Sequence, residues 1–229
     1  MVRATDGIGD MGGGEQGLEW RDGVVPVSRQ FDDPYFSLNN GLDETRHVFL
    51  AGTGLPERFC DGFQVAELGF GTGLNMLATV MASGGQRLRY TSFEAYPIAA
   101  EDIARALASF PEVLAVAGGF LEQWAAGARR FTLGTVEVEV VVGDAREMLP
   151  VWDGRADAWY LDGFSPAKNP ELWSDHMMDQ VARHTVRGGT CATYTAAGQV
   201  RRALAAAGFA VQRVPGHGTK RHMTVGRKQ

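Results

Sequence analysis

Cysteine is scarce in this 229-residue sequence, which contains only Cys60 and Cys191. The two lie far apart in the chain and at no spacing that zinc sites use. The sequence therefore predicts neither a disulfide framework nor a metal site, and it favours a reducing, cytoplasmic location. The simplest interpretation of both cysteines is that they are small buried hydrophobic residues.

Long apolar runs are missing as well. No stretch approaches the roughly 18–20 apolar residues that a membrane span needs, so no membrane association is expected. Residues 1–17 are rich in glycine and aspartate and lack the basic-then-apolar pattern of a signal peptide. We predict that they form a disordered tail ahead of a single domain over residues 18–229, whose first part, 18–62, is irregular.

Positive charge is also in short supply. The sequence has 22 lysines and arginines against 27 aspartates and glutamates, which gives a net charge of −5. That balance argues against a protein that coats nucleic acid non-specifically, because neutralising many phosphates needs many basic side chains. A local basic patch is still compatible with it.

Strand-like and helix-like patterns alternate from residue 63 onward. Short apolar or alternating runs predict strands over residues 63–68, 88–93, 131–142, 156–161 and 189–194. Helical spacing is found over residues 43–50, 75–82, 99–109, 121–126, 171–185 and 198–207. Two further strands, 209–214 and 222–225, follow each other closely. The pattern predicts an α/β fold of the Rossmann type, with a mostly parallel sheet and an antiparallel edge hairpin.

A glycine-rich turn, Glu67-Leu68-Gly69-Phe70-Gly71-Thr72-Gly73, joins the first of these strands to a helix. Glycines let backbone N–H groups approach a ligand closely. A dinucleotide-binding turn has the spacing G-x-G-x-x-G, whereas the third glycine here comes one residue earlier. This spacing favours S-adenosylmethionine, which carries no pyrophosphate. We assign cofactor binding to Glu67, Gly69, Gly71, Gly73 and Asn75.

Acidic residues follow the ends of later strands. Glu94 comes about twenty residues after the turn, where a ribose diol needs a carboxylate acceptor; the alternative is a solvated charge at a strand end. Asp144 could accept a hydrogen bond from the adenine amino group, or it could cap the following helix. Both carboxylates are candidate cofactor ligands.

Asp162 ends the strand over 156–161 and begins the loop Asp162-Gly163-Phe164-Ser165-Pro166-Ala167-Lys168-Asn169-Pro170. A carboxylate at this end of a strand points into the crevice where doubly wound sheets bind ligands. It can orient an amine beside the cofactor and take up its proton, which makes Asp162 the candidate catalytic residue, and we also count it among the cofactor ligands. The alternative is that Asp162 only caps the turn.

Segments spread from about residue 28 onward resemble one family. They include Gln30-Phe31-Asp32-Asp33-Pro34-Tyr35-Phe36-Ser37, Gly69-Phe70-Gly71-Thr72-Gly73-Leu74-Asn75, Ser92-Phe93-Glu94-Ala95-Tyr96-Pro97, the Asp162 loop and Gly218-Thr219-Lys220-Arg221-His222-Met223. The sequence is similar to the bacterial tRNA methyltransferases that complete 5-methylaminomethyl-2-thiouridine at the wobble position. In many bacteria this activity is fused to an FAD-dependent oxidase.

The resemblance implies an S-adenosylmethionine methyltransferase fold in which Asp162 is the functional carboxylate and Glu94 holds the ribose. It also implies that Phe164 and Lys168 line the substrate side. Because the chain ends near Gln229, we expect the stand-alone form without an oxidase half or FAD site, linked functionally to a separate FAD-dependent oxidase.

The anticodon loop of tRNA is the expected partner. Single-stranded bases stack on aromatic side chains, for which Tyr35, Phe36 and Phe164 are candidates. Basic side chains for phosphate contacts are Lys168, Lys220-Arg221, Arg201-Arg202, Arg129-Arg130 and Arg227-Lys228. For each basic pair, an ordinary solvated face is the alternative.

Three functions are compatible with these residues. The first is methylation of the aminomethyl group of wobble 5-aminomethyl(-2-thio)uridine. The second is methylation of a small-molecule or protein amine by the same fold. The third is a nicotinamide-dependent oxidoreductase, against which the glycine spacing argues.

Overall fold

The computed structural model describes residues 17–37 and 40–229. The tail predicted over residues 1–17 lies outside this part of the chain, except for Gly17. Within the described ranges, no helix is both long and apolar enough to cross a membrane.

A small antiparallel sheet lies at the start of the region that we predicted to be irregular. Its strands are β1 (Leu18–Arg21), β2 (Val25–Ser28) and β3 (Asp33–Pro34), in that order. Asp22 and Gly23 have φ angles of 51° and 74°, and the N–H of Val24 donates to the carbonyl of Arg21. Positive φ at both central residues is the primed hairpin turn that Asp-Gly favours. Regular strands thus replace the irregular chain expected here.

The remaining strands and helices alternate along the chain. The strands are β4 (Gln64–Leu68), β5 (Leu88–Glu94), β6 (Arg130–Leu133), β7 (Val136–Val142), β8 (Ala156–Leu161), β9 (Thr185–Thr193), β10 (Phe209–Pro215) and β11 (His222–Lys228). The α-helices are α1 (Gly41–Thr45), α2 (Leu74–Ala82), α3 (Ala100–Leu107), α4 (Pro111–Ala125), α5 (Ala145–Met148), α6 (Asp175–Arg183) and α7 (Gly198–Ala206). A π-turn (Arg46–Leu50) and a 3-10 turn (Ala51–Thr53) extend α1.

The large sheet has the strand order β10-β11-β9-β8-β4-β5-β7-β6. Its five central strands, β7, β5, β4, β8 and β9, are parallel, whereas β6 and β11 run antiparallel to their neighbours. The predicted mostly parallel sheet with a terminal antiparallel hairpin is confirmed. Strand β11 lies between β9 and β10, so β10 forms the edge.

Element boundaries differ from the prediction at several points. The run 131–142 is two antiparallel strands, β6 and β7, joined at Gly134, whose φ is 61°. The helix predicted at 121–126 begins at Pro111, because proline suits the first position of a helix, whose N–H needs no partner. Thr185, which was predicted to be helical, is the first residue of β9.

The central strand β4 is buried on both faces. Ala66 and Leu68 pack with the apolar residues of one face, and Val65 packs with those of the other. Because side chains alternate along a strand, Glu67 points to the same face as Val65. The carboxyl ends of β4, β5, β7 and β8 meet at one edge of the sheet, and the strand order reverses at β4, with β5 and β7 on one side of it and β8 and β9 on the other. Ligands bind at such a switch point in open α/β sheets.

Candidate active site

A cavity of about 460 Å³ opens at this edge of the sheet. It is walled by the glycine turn, the ends of β5 and β8, the segment after β2, and the loop between β10 and β11. Of the predicted cofactor residues, those that line it are Gly69, Gly71, Asn75, Glu94, Asp144 and Asp162. Its volume lies within the range of roughly 300–1,000 Å³ that ligand sites have.

The glycine turn needs glycine for two different reasons. Gly71 has a φ of 53°, and a Cβ there would lie 3.1 Å from Cδ1 of Tyr35, in the cavity wall. Gly73 precedes α2 with a φ of 74°, but it is not among the residues that line the cavity. A Cβ at Gly73 would lie 3.0 Å from the ring of Phe70 and 3.2 Å from that of Phe120. Gly71 therefore keeps the ligand side open, while Gly73 allows close packing behind it.

Glu94 is buried at 8% exposure, so the alternative of a solvated strand-end charge is wrong. One oxygen accepts the N–H of Gly71 at 2.9 Å, and the other accepts the N–H of Tyr96 at 2.7 Å. Burial raises the pKa of Glu94, and these backbone donors oppose the rise. The N–H groups of Phe70 and Ala95 also lower this pKa, so the loop backbone surrounds a carboxylate that lines the cavity.

Asp144 has one of the two roles that the sequence left open, that of a helix cap. It lines the cavity, and it also caps α5 by accepting the N–H of Arg146 at 2.8 Å. The Arg146 side chain hydrogen-bonds the same carboxylate, with Nε 2.9 Å from Oδ2, and this bond lowers the pKa of Asp144.

Asp162 is half-buried and faces the cavity at the end of β8. Its Oδ1 accepts the N–H of Gly163 and its Oδ2 accepts Nδ2 of Asn75, both at 2.8 Å. Burial raises the pKa of Asp162 to about 6, although the Gly163 and Asn75 bonds and the charge of Lys220 each lower it. Asp162 can therefore be ionised near neutral pH and still accept a proton.

Glu67, the acidic residue before the glycine turn, does not reach the cavity. Its side chain is fully buried behind Asn75, whose Nδ2 donates to Glu67 Oε1 at 2.8 Å. The sequence pattern predicted direct contact with the cofactor, but the side-chain alternation of β4 turns this carboxyl into the protein interior.

Aromatic side chains form part of the cavity wall. The ring of Phe164 stacks on Phe31 with 4.6 Å between centroids, and the edge of Tyr35 meets Phe164 at 5.1 Å. Trp173 fixes the loop by donating its Nε1 hydrogen to the Phe164 carbonyl at 2.8 Å. Phe31 belongs to the motif over residues 30–37, but it was not predicted as a site residue. The close spacing of three aromatic residues, Phe31, Tyr35 and Phe36, was the sequence signal that could have identified it.

Lys220 lines the cavity beside two residues that the sequence analysis missed. It pairs with Glu44 and lies over the ring of Tyr194, whose hydroxyl donates to the Gly163 carbonyl at 2.7 Å. No local pattern links these residues, because α1, β9 and the loop between β10 and β11 are distant in sequence.

Other predicted basic contacts lie outside the cavity lining. Lys168 pairs with Asp32, and Arg221 is an exposed neighbour of Lys220. Arg129 stacks on Trp124, while Lys228 donates to the Ala207 carbonyl.

The expectation that both cysteines are buried holds for Cys191 and is wrong for the exposed Cys60.

Comparison with known proteins assigns the family. A family model described as S-adenosyl-L-methionine-dependent methyltransferase matches residues 111–229, which is more than half of the chain. The chain belongs to this family. S-Adenosylmethionine is thus the cofactor, as the glycine spacing predicted, and a nicotinamide-dependent oxidoreductase is excluded.

Curated relatives agree with the family resemblance. The tRNA 5-methylaminomethyl-2-thiouridine biosynthesis bifunctional protein MnmC of Aeromonas hydrophila is 48% identical over 92% of this chain and 35% of its own length. The protein of the same name from Pseudomonas aeruginosa is 47% identical over 93% of this chain and 35% of its own. The chain therefore spans about a third of the length of these relatives.

A solved structure shows the same fold. MNMC2 from Aquifex aeolicus is similar with a TM-score of 0.75 and 24% identity, over 94% of this chain and 71% of the other.

Proposed function

We propose that this methyltransferase methylates the aminomethyl group of 5-aminomethyl(-2-thio)uridine at the tRNA wobble position, giving the 5-methylaminomethyl form. The observation that carries the proposal is the Asp162 carboxyl, which faces the cavity directly beside the glycine turn. A Cβ at Gly69 would lie 3.4 Å from Cα of Gly163 and 3.5 Å from the Asp162 carbonyl. The cofactor side and the acidic loop are thus adjacent. The names of the relatives, which refer to tRNA 5-methylaminomethyl-2-thiouridine biosynthesis, support the same substrate.

The acceptor must lose a proton before it can react. A primary alkylamine resembles a lysine side chain, whose ordinary pKa is about 10.4, so it is mostly an ammonium ion near pH 7. Only the neutral amine has the lone pair that forms the new N–C bond while the S–CH₃ bond breaks. The sulfur keeps that electron pair. Asp162 takes up the proton that the amine gives away, and its pKa of about 6 suits this exchange.

The residues present fit the cofactor. Glu94 lines the cavity, where its carboxylate would accept the ribose diol, and Asp144 lines the part of the cavity where the adenine amino group would bind. The backbone at Gly69 and Gly71 leaves room for the methionine part. When bound, S-adenosylmethionine supplies an electrophilic methyl group.

The same cavity has features that suit an unstacked base. Enzymes that modify a base hold it extruded from its stack, against aromatic surfaces. Phe164 and Tyr35 would contact the uracil, and Lys220 lies at the amine side of the pocket. Lys168 and Arg221 would contact the phosphates of the anticodon loop. We also propose a functional link to a separate FAD-dependent oxidase that supplies the aminomethyl substrate, and a cytoplasmic location.

Labelled S-adenosylmethionine tests this function. The purified protein is incubated with tRNA from cells that cannot methylate the aminomethyl group, and nucleosides are analysed. We expect label in the 5-methylaminomethyl nucleoside, and none in tRNA that already carries it. Asp162→Asn should retain cofactor binding and lose most turnover. Absence of label at the wobble uridine would contradict the proposal and favour a small-molecule or protein amine.

A further inference from the structure

Glu67 and Asp162 stand at the ends of neighbouring parallel strands and share one hydrogen-bond donor. Asn75 Nδ2 lies 2.8 Å from Glu67 Oε1 and 2.8 Å from Asp162 Oδ2. The oxygen of the same amide accepts the hydroxyl of Thr45 at 2.8 Å. The orientation of Asn75 is therefore fixed, with its NH₂ group toward both carboxyls.

The surroundings of Glu67 oppose a negative charge. The side chain is fully buried, and its Oε2 has no hydrogen-bond partner among the described residues. The hydroxyls of Tyr90 and Ser92 on β5 are buried, likewise without a partner there, and are near enough to lower the pKa of Glu67. Burial and the charge of Asp162 have the opposite effect and raise the pKa of Glu67 well above its usual value. The hydroxyl of Tyr160 is also close enough to interact electrostatically with Glu67.

The surroundings of Asp162 tolerate a negative charge better than those of Glu67 do, although burial raises its pKa as well, to about 6. The backbone N–H of Gly163 donates to it, and Lys220 lowers its pKa, while Glu44 opposes with a smaller effect. Tyr194, directly after β9, completes the set, and burial together with the charge of Asp162 raises the pKa of that phenol. Two close carboxyls do not readily ionise together, and the one with a cation and a backbone donor takes the charge.

We propose that Glu67 is a positioning residue that stays protonated while Asp162 ionises, and that it holds the Asp162 carboxylate toward the cavity through Asn75. This inference rests on the proposed role of Asp162 in methyl transfer. A neutral Glu67 can accept from Asn75 through its carbonyl oxygen and donate its O–H to the oxygen of Tyr90 or Ser92, so it fits the buried site without an unpaired charge. A neutral Glu67 also adds no second negative charge behind the reacting group.

The pH dependence of kcat/KM distinguishes a neutral from an ionised Glu67. We expect Glu67→Gln to leave the midpoint of the acidic limb within about 0.3 unit of wild type, because glutamine matches the protonated acid in shape and charge. If Glu67 were ionised, removing its charge would lower the midpoint by about 1–3 units, which would contradict the proposal. Glu44→Gln is the matched control: it removes a charge that raises the pKa of Asp162, so its midpoint should fall.

Two substitutions at Glu67 also test the positioning role. Glu67→Leu leaves Asn75 without its second acceptor, so we expect kcat to fall about tenfold or more, with a smaller change in the KM for tRNA. Glu67→Gln should restore most of this loss, because its amide oxygen can accept from Asn75. Equal losses in both variants would overturn the proposal.

An infrared difference spectrum tests the charge without any turnover. Wild type minus Glu67→Gln at pH 7 should show the carbonyl stretch of a protonated carboxylic acid. Its absence would contradict the proposal, whatever the enzyme methylates. If that band is present while tRNA accepts no label, the substrate assignment fails and the protonated state of Glu67 stands.

Discussion

The Nζ of Lys220 lies 4.0 Å from the ring centroid of Tyr194, in a pocket that also contains Asp162. The ring face attracts the cation, and Glu44 pairs with it from the other side. A positive charge is thus fixed near the carboxylate that receives the proton.

Replacing Lys220 should move the pH profile upward. Lys220 lowers the pKa of Asp162, so Lys220→Met should raise that pKa. Activity that needs the ionised carboxylate then begins at higher pH. We expect the acidic limb of kcat/KM to shift up by about one unit at most, the lower end of the effect of a close charge, because the lysine is partly exposed. A downward shift would show that Lys220 does not stabilise the carboxylate.

Replacing Glu94 should weaken cofactor binding. In Glu94→Gln an NH₂ group would face one of two backbone N–H donors, of Gly71 or Tyr96, and an acceptor for the diol would be lost. Hydrogen bonds to charged groups contribute about 1.5–3 kcal/mol, so the Kd for S-adenosylmethionine should rise about 10–100-fold by calorimetry. Glu57→Gln, on an exposed side chain outside the cavity lining, is the control and should leave the Kd unchanged. Equal Kd values in both variants would contradict a role for Glu94.

Two glycine substitutions separate backbone strain from ligand space. Gly71 and Gly62 both have positive φ, 53° and 83°, so alanine at either should destabilise the fold by about 1 kcal/mol or more. Only at Gly71 does the new Cβ meet Tyr35; at Gly62 nothing lies within 4 Å. We expect comparable losses in unfolding free energy but a weaker cofactor Kd for Gly71→Ala alone. A weakened Kd in both variants would point to a general loss of structure.

The buried carboxyl of Glu67 should make the stability of the protein depend on pH. Its folded pKa is raised well above the unfolded value of about 4.3, so its contribution to stability is fully present below that value and is lost as pH rises toward the folded pKa. Glu67→Gln removes this dependence. Urea titrations at pH 5 and pH 8 measure this. From pH 5 to pH 8 the free energy of unfolding of the variant should rise relative to that of wild type, by about 1.4 kcal/mol for each pH unit of this interval that lies below the folded pKa. A constant difference between the two proteins would contradict the raised pKa.

The sequence alone predicted much of the cofactor side of the site. Glu94, Asp144 and Asp162 each follow a strand of an alternating α/β pattern, and parallel strands bring their carboxyl ends together. The pattern did not predict which way Glu67 faces. Its position before the glycines indicated a ligand, but the pleat of β4 decides the direction of its side chain.

The substrate side could be predicted far less well. Glu44, Tyr194 and Lys220 come from three distant segments that meet only when the sheet and α1 are in place. Their pairing depends on long-range packing, for which no local spacing exists. The Asp22-Gly23 turn is different, because Asp-Gly is a hairpin signal in the sequence that the prediction of an irregular region over 18–62 overlooked.

The position of β11 between β9 and β10 has a consequence for how the molecule is made. During synthesis β10 leaves the ribosome before β11. In the sheet, however, β10 pairs with β11, so β10 can join the sheet only after β11 has paired with β9. Until then β9 presents an open edge, of the kind that invites pairing with other chains. Lys220 lies two residues before β11, so its positive charge takes its place in the active site at the same stage of folding at which β11 covers the edge of β9.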